Sequence, residues 1–235
     1  MEYNISKKPK SPTIIEGFPG FGLVGTIATG FLIDHLNAKS IGSITSKDIV
    51  PMATIHGQKI IRPLEIFYDS RHNIIIVNAL TNVQGLEWDL AKILTKMAKN
   101  LNAKEVISIE GVSTPGLTSK KVNAYYYSNK NQKKFEKISI PPIKDGIVMG
   151  VTAALLLETD KTPFSSIFVE THTGLPDSKA AAKIVEVIDK YLGLKVDYKP
   201  LIKKAEQFEV KLKELVERSK SAEKIQKEKE VPYVG

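Results

Sequence analysis

The chain has 235 residues, of which 42% are hydrophobic and 26% are charged, the balance of a soluble globular protein with one substantial core. Lysine and arginine exceed aspartate and glutamate by 34 to 26, which gives a formal net charge of +8. The chain contains no cysteine, which excludes disulfides, thiol catalysis and cysteine-ligated metal sites, and its four histidines are dispersed, so we expect no metal and no cofactor.

The N-terminal segment MEYNISKKPKSP lacks the apolar core of a signal peptide, and no later segment is apolar over enough length to span a bilayer. We therefore expect a cytoplasmic protein that makes no membrane contact. The positive charge is concentrated around Lys7–Lys10 and between Lys199 and Glu230, where it alternates with glutamate. Mixed charges of this kind indicate a solvated helix face, so the sequence does not predict nucleic-acid binding.

The first predicted strand, Thr13–Phe18, leads into a turn that is rich in glycine. The sequence EGFPGFGLVG places Gly20, Gly22 and Gly25 in the order Gly-x-Gly-x-x-Gly, before a helix predicted from Leu23 to Leu36. This spacing is typical of dinucleotide-binding turns, in which backbone amides at the start of the helix face a phosphate. The local sequence therefore permits a nucleotide site.

An NAD-binding unit also needs an acidic residue at the end of its second strand. That strand is predicted at Ser40–Ile44, and Asp48 lies beyond its end. Small residues such as Ala28 and Gly30 follow the motif and let a helix pack closely on a sheet, which provides a structural reason for glycine. We therefore interpret four glycines as a structural turn: Gly17, Gly20, Gly22 and Gly25.

Strands and helices alternate along the rest of the predicted core. Further strands are predicted at Leu64–Tyr68, Ile74–Ala79, Val106–Glu110, Val122–Tyr127 and Ile167–Glu170. Further helices are predicted at Leu86–Leu101, Gly146–Leu157 and Asp177–Leu192. Runs such as NIIIVN and VISIE have apolar residues on both faces, as in strands that helices cover on both sides. The predicted fold is α/β, a three-layer sandwich with a mixed, mostly parallel sheet.

Two loops after predicted strands carry residues that are capable of catalysis. EGVSTPG begins with Glu110 and includes Ser113, and ETHTGLPD begins with Glu170 and includes His172. Sites of α/β proteins occur at such strand ends. Turn preferences explain the same residues, and Asp177 can cap the helix that follows. Both interpretations stay open at this point.

The residues after Lys199 follow a different pattern, in which apolar positions recur at alternating steps of four and three along one seam of a long helix. The seam residues are Leu201, Ala205, Phe208, Leu212, Leu215, Ser219 and Ala222. They pack either on the protein's own body or on another chain, and an uncovered seam predicts self-association. We divide the chain into a domain at 1–198 and a C-terminal helix with an extended tail at 199–235.

Three segments together resemble the proteasome assembly chaperone 2 family, in particular its archaeal members. They are the glycine turn with its helix, the EGVSTPG loop and GLPDSKAAAKIVEVIDKYLGLKVD (Gly174–Asp197), and the resemblance covers roughly residues 10 to 200. It implies an α/β fold similar to nucleoside phosphorylases, no catalytic role, and homo-oligomers similar to the eukaryotic chaperones that assist assembly of proteasome α-rings. The implied partners are proteasome α subunits and further copies of the chain.

The resemblance also implies a role for the last five residues. Proteasome activators and assembly chaperones commonly end in a hydrophobic residue, a tyrosine and one final residue, which enter pockets between α subunits. The corresponding residues here are Val231, Pro232, Tyr233, Val234 and Gly235. Main-chain hydrogen bonds and a lysine paired with the terminal carboxylate would hold them, although Tyr233 is third from the end rather than second. The alternative function is a nucleotide- or nucleoside-binding protein or enzyme that uses the Gly20–Gly25 turn.

Overall fold

The structure, a computed structural model, describes residues 1–49, 53–56, 58–113, 122–158, 162–171 and 176–203. The strands in these ranges are β1 (Glu2–Ile5), β2 (Thr13–Gly17), β3 (Lys39–Thr45), β4 (Thr54–His56), β5 (Lys59–Ile61), β6 (Leu64–Asp69), β7 (Ile74–Ala79), β8 (Glu105–Ser113), β9 (Ala124–Ser128) and β10 (Phe164–Thr171). The helices are α1 (Val24–His35), α2 (Glu87–Asn100), α3 (Gln132–Lys137), α4 (Gly150–Glu158) and α5 (Ser178–Leu192).

Within the described ranges, eight strands form one mixed sheet in the order β1-β3-β6-β7-β2-β8-β10-β9. The four neighbours β7, β2, β8 and β10 run parallel to one another. β6 is antiparallel to β7, and β9 is antiparallel to β10. β4 and β5 pair separately as a hairpin. The mixed sheet that the sequence predicts is therefore confirmed, with its parallel strands at the centre, although three of its seven described pairs of neighbouring strands are parallel and four are antiparallel.

Helices cover both faces of the sheet and complete the predicted three-layer sandwich. α1 packs against α5 on one face, and α2 packs against α4 on the other. Ile14 and Ile15 are consecutive residues of β2, and both are fully buried, one in each of the two apolar cores. This burial on both faces explains why the central strands are continuous apolar runs rather than alternating ones.

The structure also contains elements that the sequence analysis did not predict. β1 pairs with β3 at the edge of the sheet, with Tyr3 opposite Ile44, so the lysines near the N-terminus follow an edge strand. α3 and the β4–β5 hairpin were also not predicted. α4 begins at Gly150 and not at Gly146, because Gly150 has a φ of 77° that interrupts a right-handed helical path.

The start of the predicted C-terminal helix is described, and most of it is not. A helical segment begins at Lys199 and is described as far as Lys203. Leu201 is buried in the core beneath α1 and α5, and Ile202 packs against that core. The first seam residue therefore contacts the protein's own body. The other predicted contact residues lie outside the described ranges: Ala205, Phe208, Leu212, Leu215 and Val231–Gly235.

None of the helices in the described ranges combines the length and the apolar character that crossing a membrane requires. The same ranges contain no group of three or more histidine, cysteine, aspartate or glutamate side chains that could hold a metal ion.

Candidate functional site

The glycine-rich turn leads from β2 to α1 through a short 3₁₀ turn at Phe21–Leu23. Gly22 lies at its centre and has a φ of 64°, a left-handed conformation that glycine adopts at little steric cost. A Cβ at this position would lie 2.6 Å from Thr171 Oγ1 and 3.1 Å from Asp177 Cβ. Both the backbone conformation and the available space therefore favour glycine at position 22.

Gly17 and Gly25 bring α1 close to the sheet. A Cβ on Gly25 would lie 2.9 Å from the Phe18 carbonyl oxygen and 3.1 Å from that of Ile109. A Cβ on Gly17 would collide with the Gly25 carbonyl oxygen and lie 2.6 Å from Thr29 Cγ2. These two positions have no room for a side chain, because strand and helix backbones are in close contact there.

The first backbone amides after the turn already have partners within it. The Leu23 N–H donates to the Gly20 carbonyl oxygen at 3.0 Å, and the Val24 N–H donates to the Phe21 carbonyl oxygen. A dinucleotide-binding turn instead directs amides at the start of its helix toward a phosphate. The geometry of these two amides therefore does not favour a phosphate site.

Asp177 connects the turn to α5. Its backbone N–H donates to the Gly22 carbonyl oxygen at 2.8 Å. Its carboxylate accepts a hydrogen bond from the Ala180 N–H at 2.9 Å and another from the Thr171 hydroxyl at 2.8 Å. The helix cap expected at Asp177 is thus observed, and the same residue also supports the glycine turn.

Gly20 differs from the other three glycines because it faces a cavity of about 440 Å³. The cavity lies beyond the carboxyl ends of β2 and β8, the region in which open α/β sheets bind ligands. A Cβ on Gly20 would collide with Glu110 Oε1. The absence of a side chain at position 20 therefore leaves space for the Glu110 carboxylate in the cavity wall.

The cavity has a mainly apolar wall with a few polar groups. Its apolar lining residues are Phe18, Pro19, Phe21, Val83, Met149 and Val151. Its polar lining side chains are Asn82, Gln84, Glu87, Glu110 and Thr152. Two of these groups are carboxylates, and the described lining includes no lysine, arginine or histidine. The wall therefore suits a cation or a hydrogen-bond donor better than a phosphate.

A series of four polar side chains runs from the cavity wall into the interior. Thr152 Oγ1 is 3.0 Å from Glu110 Oε2 and 2.8 Å from Ser108 Oγ. Ser108 lies opposite Glu16 in the register of β8 and β2, and its hydroxyl is hydrogen-bonded to the Glu16 carboxyl group. Glu16 is only 1% exposed. We call the series Glu16–Ser108–Thr152–Glu110 the carboxyl chain.

Burial raises the pKa of both carboxyl groups of this chain. The loss of solvation raises the pKa of Glu16 to about 8, with a further contribution from the nearby charge of Glu110. The same effect raises the pKa of Glu110 to about 7. Hydrogen bonds from Ser108 and Thr152 oppose the two shifts. The pKa of each carboxyl group therefore lies closer to neutral pH than that of an ordinary glutamate.

The structure places Glu170, the other acidic residue that the sequence analysis selected, in a different cavity from Glu110. Glu170 lines a separate cavity of about 450 Å³. Its carboxylate accepts hydrogen bonds from Asn123 Nδ2 at 2.8 Å and from the Tyr125 hydroxyl at 2.9 Å. The side chain of Ser113 and the whole of His172 lie outside the described part of the chain, and the two candidates that are described, Glu110 and Glu170, line separate cavities.

Glu16, Ser108 and Thr152 are not among the site residues predicted from the sequence. Glu16 and Ser108 are polar residues inside the apolar strand sequences IIEG and VISIE, and a polar residue at a position buried on both faces needs an internal partner. That pattern is a usable signal for two of the three. Thr152 is reached only through the packing of α4 against β8.

Comparisons with known proteins identify the family. The model of the PAC2 family matches residues 14–216. An uncharacterized protein of Methanocaldococcus jannaschii is 31% identical over 211 residues, which cover 88% of this chain and 87% of the relative. Pyrococcus furiosus PbaA, an archaeal homolog of proteasome-assembly chaperone, is similar in structure with a TM-score of 0.85 and 31% identity over 100% of both chains.

A further solved structure shares the fold at lower identity. Pyrococcus furiosus PbaB, an archaeal proteasome activator, has a TM-score of 0.76 and 23% identity over 91% of this chain and 97% of PbaB. The family that the glycine turn and the α5 segment predict is thus confirmed by the family match and by the similarity to PbaA. The chain belongs to the PAC2 family.

Proposed function

We propose that the protein is a proteasome assembly chaperone or adaptor without enzymatic activity, which binds the α-ring of the 20S proteasome as a homo-oligomer. The observation that carries this proposal is the similarity to PbaA over the full length of both chains. The PAC2 family match over residues 14–216 agrees with it, since that range includes the α/β domain from β2 onward and the first part of the segment after Lys199.

The geometry of the glycine turn supports this proposal over the nucleotide-binding alternative. The Leu23 and Val24 amides bond to carbonyl oxygens within the turn. The neighbouring cavity presents the Glu87 and Glu110 carboxylates, and its described lining has no basic side chain to balance a phosphate. A nucleotide would therefore place its negative charge beside two carboxylates, which costs binding free energy.

In this proposal the C-terminal residues make the contacts. Leu201 attaches the start of the helix to the body of the protein. The downstream seam residues hold copies of the chain together, and they are Ala205, Phe208, Leu212 and Leu215. Val231–Gly235 bind pockets between neighbouring α subunits, and several such segments on one oligomer gain affinity through effective concentration.

The proposal is tested by measuring the binding of the full chain, of a chain lacking residues 231–235 and of Tyr233→Ala to purified α-rings. Removing an aromatic anchor costs about 2 kcal/mol per site, which is about 30-fold in affinity. Tyr127→Ala is the matched control, because Tyr127 is an exposed tyrosine of the α/β domain. Undiminished binding of both tail variants would refute the role of this segment.

A different contact surface would give a distinguishable result. If the helix face itself binds the α-ring, charge reversals such as Lys213→Glu and Lys220→Glu should weaken binding while the tail variants leave it unchanged. A variant with one residue appended after Gly235 tests the contribution of the terminal carboxylate alone, because it moves the carboxylate and leaves Tyr233 in place.

A further inference from the structure

The carboxyl chain contains one more hydrogen bond than its hydroxyl groups can supply. It has three short contacts, Glu16 to Ser108, Ser108 to Thr152 and Thr152 to Glu110. Two hydroxyl groups provide two hydrogens, because each has a single O–H donor. The third hydrogen must come from a carboxyl group, so all three hydrogen bonds form only when either Glu16 or Glu110 is protonated.

The surroundings of the two ends decide where that proton resides. Glu16 is 1% exposed and belongs to β2, a central strand of the sheet, whereas Glu110 is partly exposed in the cavity wall. Burial penalises the charged form more strongly at Glu16, because its side chain is withdrawn from solvent while that of Glu110 borders the cavity. With this proton on Glu16, the Ser108 hydroxyl donates to Thr152 instead of to Glu16, so Glu16 donates to Ser108, Ser108 to Thr152 and Thr152 to Glu110. The negative charge therefore faces the cavity.

A carboxylate in an apolar wall is costly unless a cation or hydrogen-bond donors balance it. The Glu110 carboxylate accepts hydrogen bonds from the Thr152 hydroxyl and the Gly111 backbone N–H, and the described side chains around this cavity supply no cation. Glu87, the first residue of α2, adds a second carboxylate to the same wall. The cavity volume of about 440 Å³ lies within the range of small-molecule sites.

We propose that this cavity is a binding site for a small organic cation, an ammonium or amidinium group on an apolar body. The cationic group pairs with the Glu110 carboxylate, and the apolar body contacts Phe18, Phe21 and Val151. Gly20 is part of the site because its missing side chain leaves room for the carboxylate. This ligand site is independent of the proposed proteasome contact, which uses other residues.

The test uses three probes of nearly the same shape, benzamidine, benzamide and benzoate, which are cationic, neutral and anionic. Their binding to the full chain is measured by ligand-observed NMR titration above neutral pH. Benzamidine should bind, benzamide at least about tenfold more weakly, and benzoate not at all, because an amidinium forms a bidentate ion pair with a carboxylate. Equal binding of the three probes, or no binding of benzamidine at millimolar concentration, overturns the proposal.

Two variants locate the site. Glu110→Gln should weaken benzamidine binding at least about tenfold, while Glu158→Gln, which alters an exposed carboxylate at the end of α4, should leave it unchanged. Gly20→Ala places a methyl group where the Glu110 carboxylate lies, at a backbone conformation (φ −147°) that alanine adopts readily. It should weaken benzamidine binding without changing the fold, as judged by circular dichroism. Unchanged benzamidine affinity in Glu110→Gln and Gly20→Ala contradicts the proposal.

A pH series separates a charge effect from a structural one. Lowering the pH from above to below about 7 protonates Glu110 and should weaken benzamidine binding progressively. The described titratable groups that face Glu110 are Glu16, through Ser108 and Thr152, and Glu87 across the cavity. The decrease in benzamidine affinity on lowering the pH should persist in Glu87→Gln. It should be absent in Glu110→Gln, which has no carboxyl group to protonate at position 110. A benzamidine affinity that is independent of pH in the unaltered chain contradicts the proposal.

Discussion

Individual glycines of the turn after β2 meet different physical requirements. Gly22 has a left-handed backbone, Gly17 and Gly25 lie where strand and helix backbones touch, and Gly20 borders the cavity. A pattern of three glycines can therefore arise without a phosphate to bind. The roles predict different consequences of substitution at each position.

Gly22→Ala should destabilise the fold, and Gly30→Ala should not. A side chain at Gly22 forces a φ of 64° on a non-glycine residue and crowds Thr171, so we expect a loss of about 1 to 3 kcal/mol in the free energy of unfolding. Gly30 lies in α1 with open space around its Cβ position, so the close packing expected there from the sequence is not found, and alanine should stabilise the helix by about 0.5 to 1 kcal/mol. Urea denaturation of the two variants measures both effects, and equal stabilities would contradict the structural role of Gly22.

Glu16 should make the protein less stable as the pH rises. Its pKa is about 8 in the folded state and about 4.5 when unperturbed, so between these values the folded state binds more protons than the unfolded state. The free energy of unfolding then decreases with increasing pH across that window. Glu16→Gln keeps the shape of the side chain and removes the titration.

The measurement is urea denaturation of both proteins at pH 5 and pH 8. From pH 5 to pH 8, the free energy of unfolding of the unaltered chain should decrease by at least about 2 kcal/mol more than that of Glu16→Gln. Identical pH dependence of the two proteins would show that Glu16 does not hold a proton in the folded state.

At the scale of elements, the sequence predicts the strands and helices that bury apolar side chains on a regular period. NIIIVN is correctly predicted as a strand because β7 is buried on both faces. β1 is missed because its four residues EYNI owe their conformation to pairing with β3, about forty positions away. The sequence of β1 alone carries no information about its pairing with β3.

The same limit applies to the candidate site. Glu110 is noticeable in the sequence because the predicted strand Val106–Glu110 ends there, although β8 continues to Ser113 in the structure, and Gly20 belongs to a motif. Glu16 meets Ser108 only through the register of β2 and β8, and Thr152 joins them through the packing of α4. The carboxyl chain is thus a product of tertiary structure.

Asp177→Ala should destabilise α5 and the glycine turn together. The substitution removes the hydrogen bonds that the carboxylate accepts from the Ala180 N–H and the Thr171 hydroxyl. Loss of a helix cap costs about 1 kcal/mol, and up to about 2 in well-formed cases. Asp34→Ala, at an exposed position near the end of α1, is the control and should change the free energy of unfolding by less than about 0.5 kcal/mol. Thermal or urea denaturation of the two variants measures the difference, and a loss in Asp177→Ala no larger than that in Asp34→Ala would argue against a capping role.

At the scale of the whole molecule, the proposal assigns separate tasks to separate parts. The α/β domain is a scaffold that carries the cavity, and the segment after Lys199 carries the apolar seam and the Val231–Gly235 residues. Leu201 connects the two by packing into the core beneath α1 and α5. The seam beyond Leu201 is assigned to contacts between copies of the chain.

We predict that the full chain self-associates. Light scattering at micromolar concentration should give a mass that is a multiple of 26.0 kDa. Polar substitutions at Phe208 and Leu212 should lower that mass, because they remove apolar contacts from the seam. A strictly monomeric full chain would contradict the homo-oligomer.

The central claim is that this PAC2-family protein binds the proteasome α-ring. Native mass spectrometry of purified α subunits mixed with the full chain tests it most directly. The proposal predicts a defined complex of α-ring and homo-oligomer with the full chain, and a large reduction in that complex when residues 231–235 are removed. Separate α-rings and separate chains at micromolar concentration, with no mixed species, would contradict the proposed function.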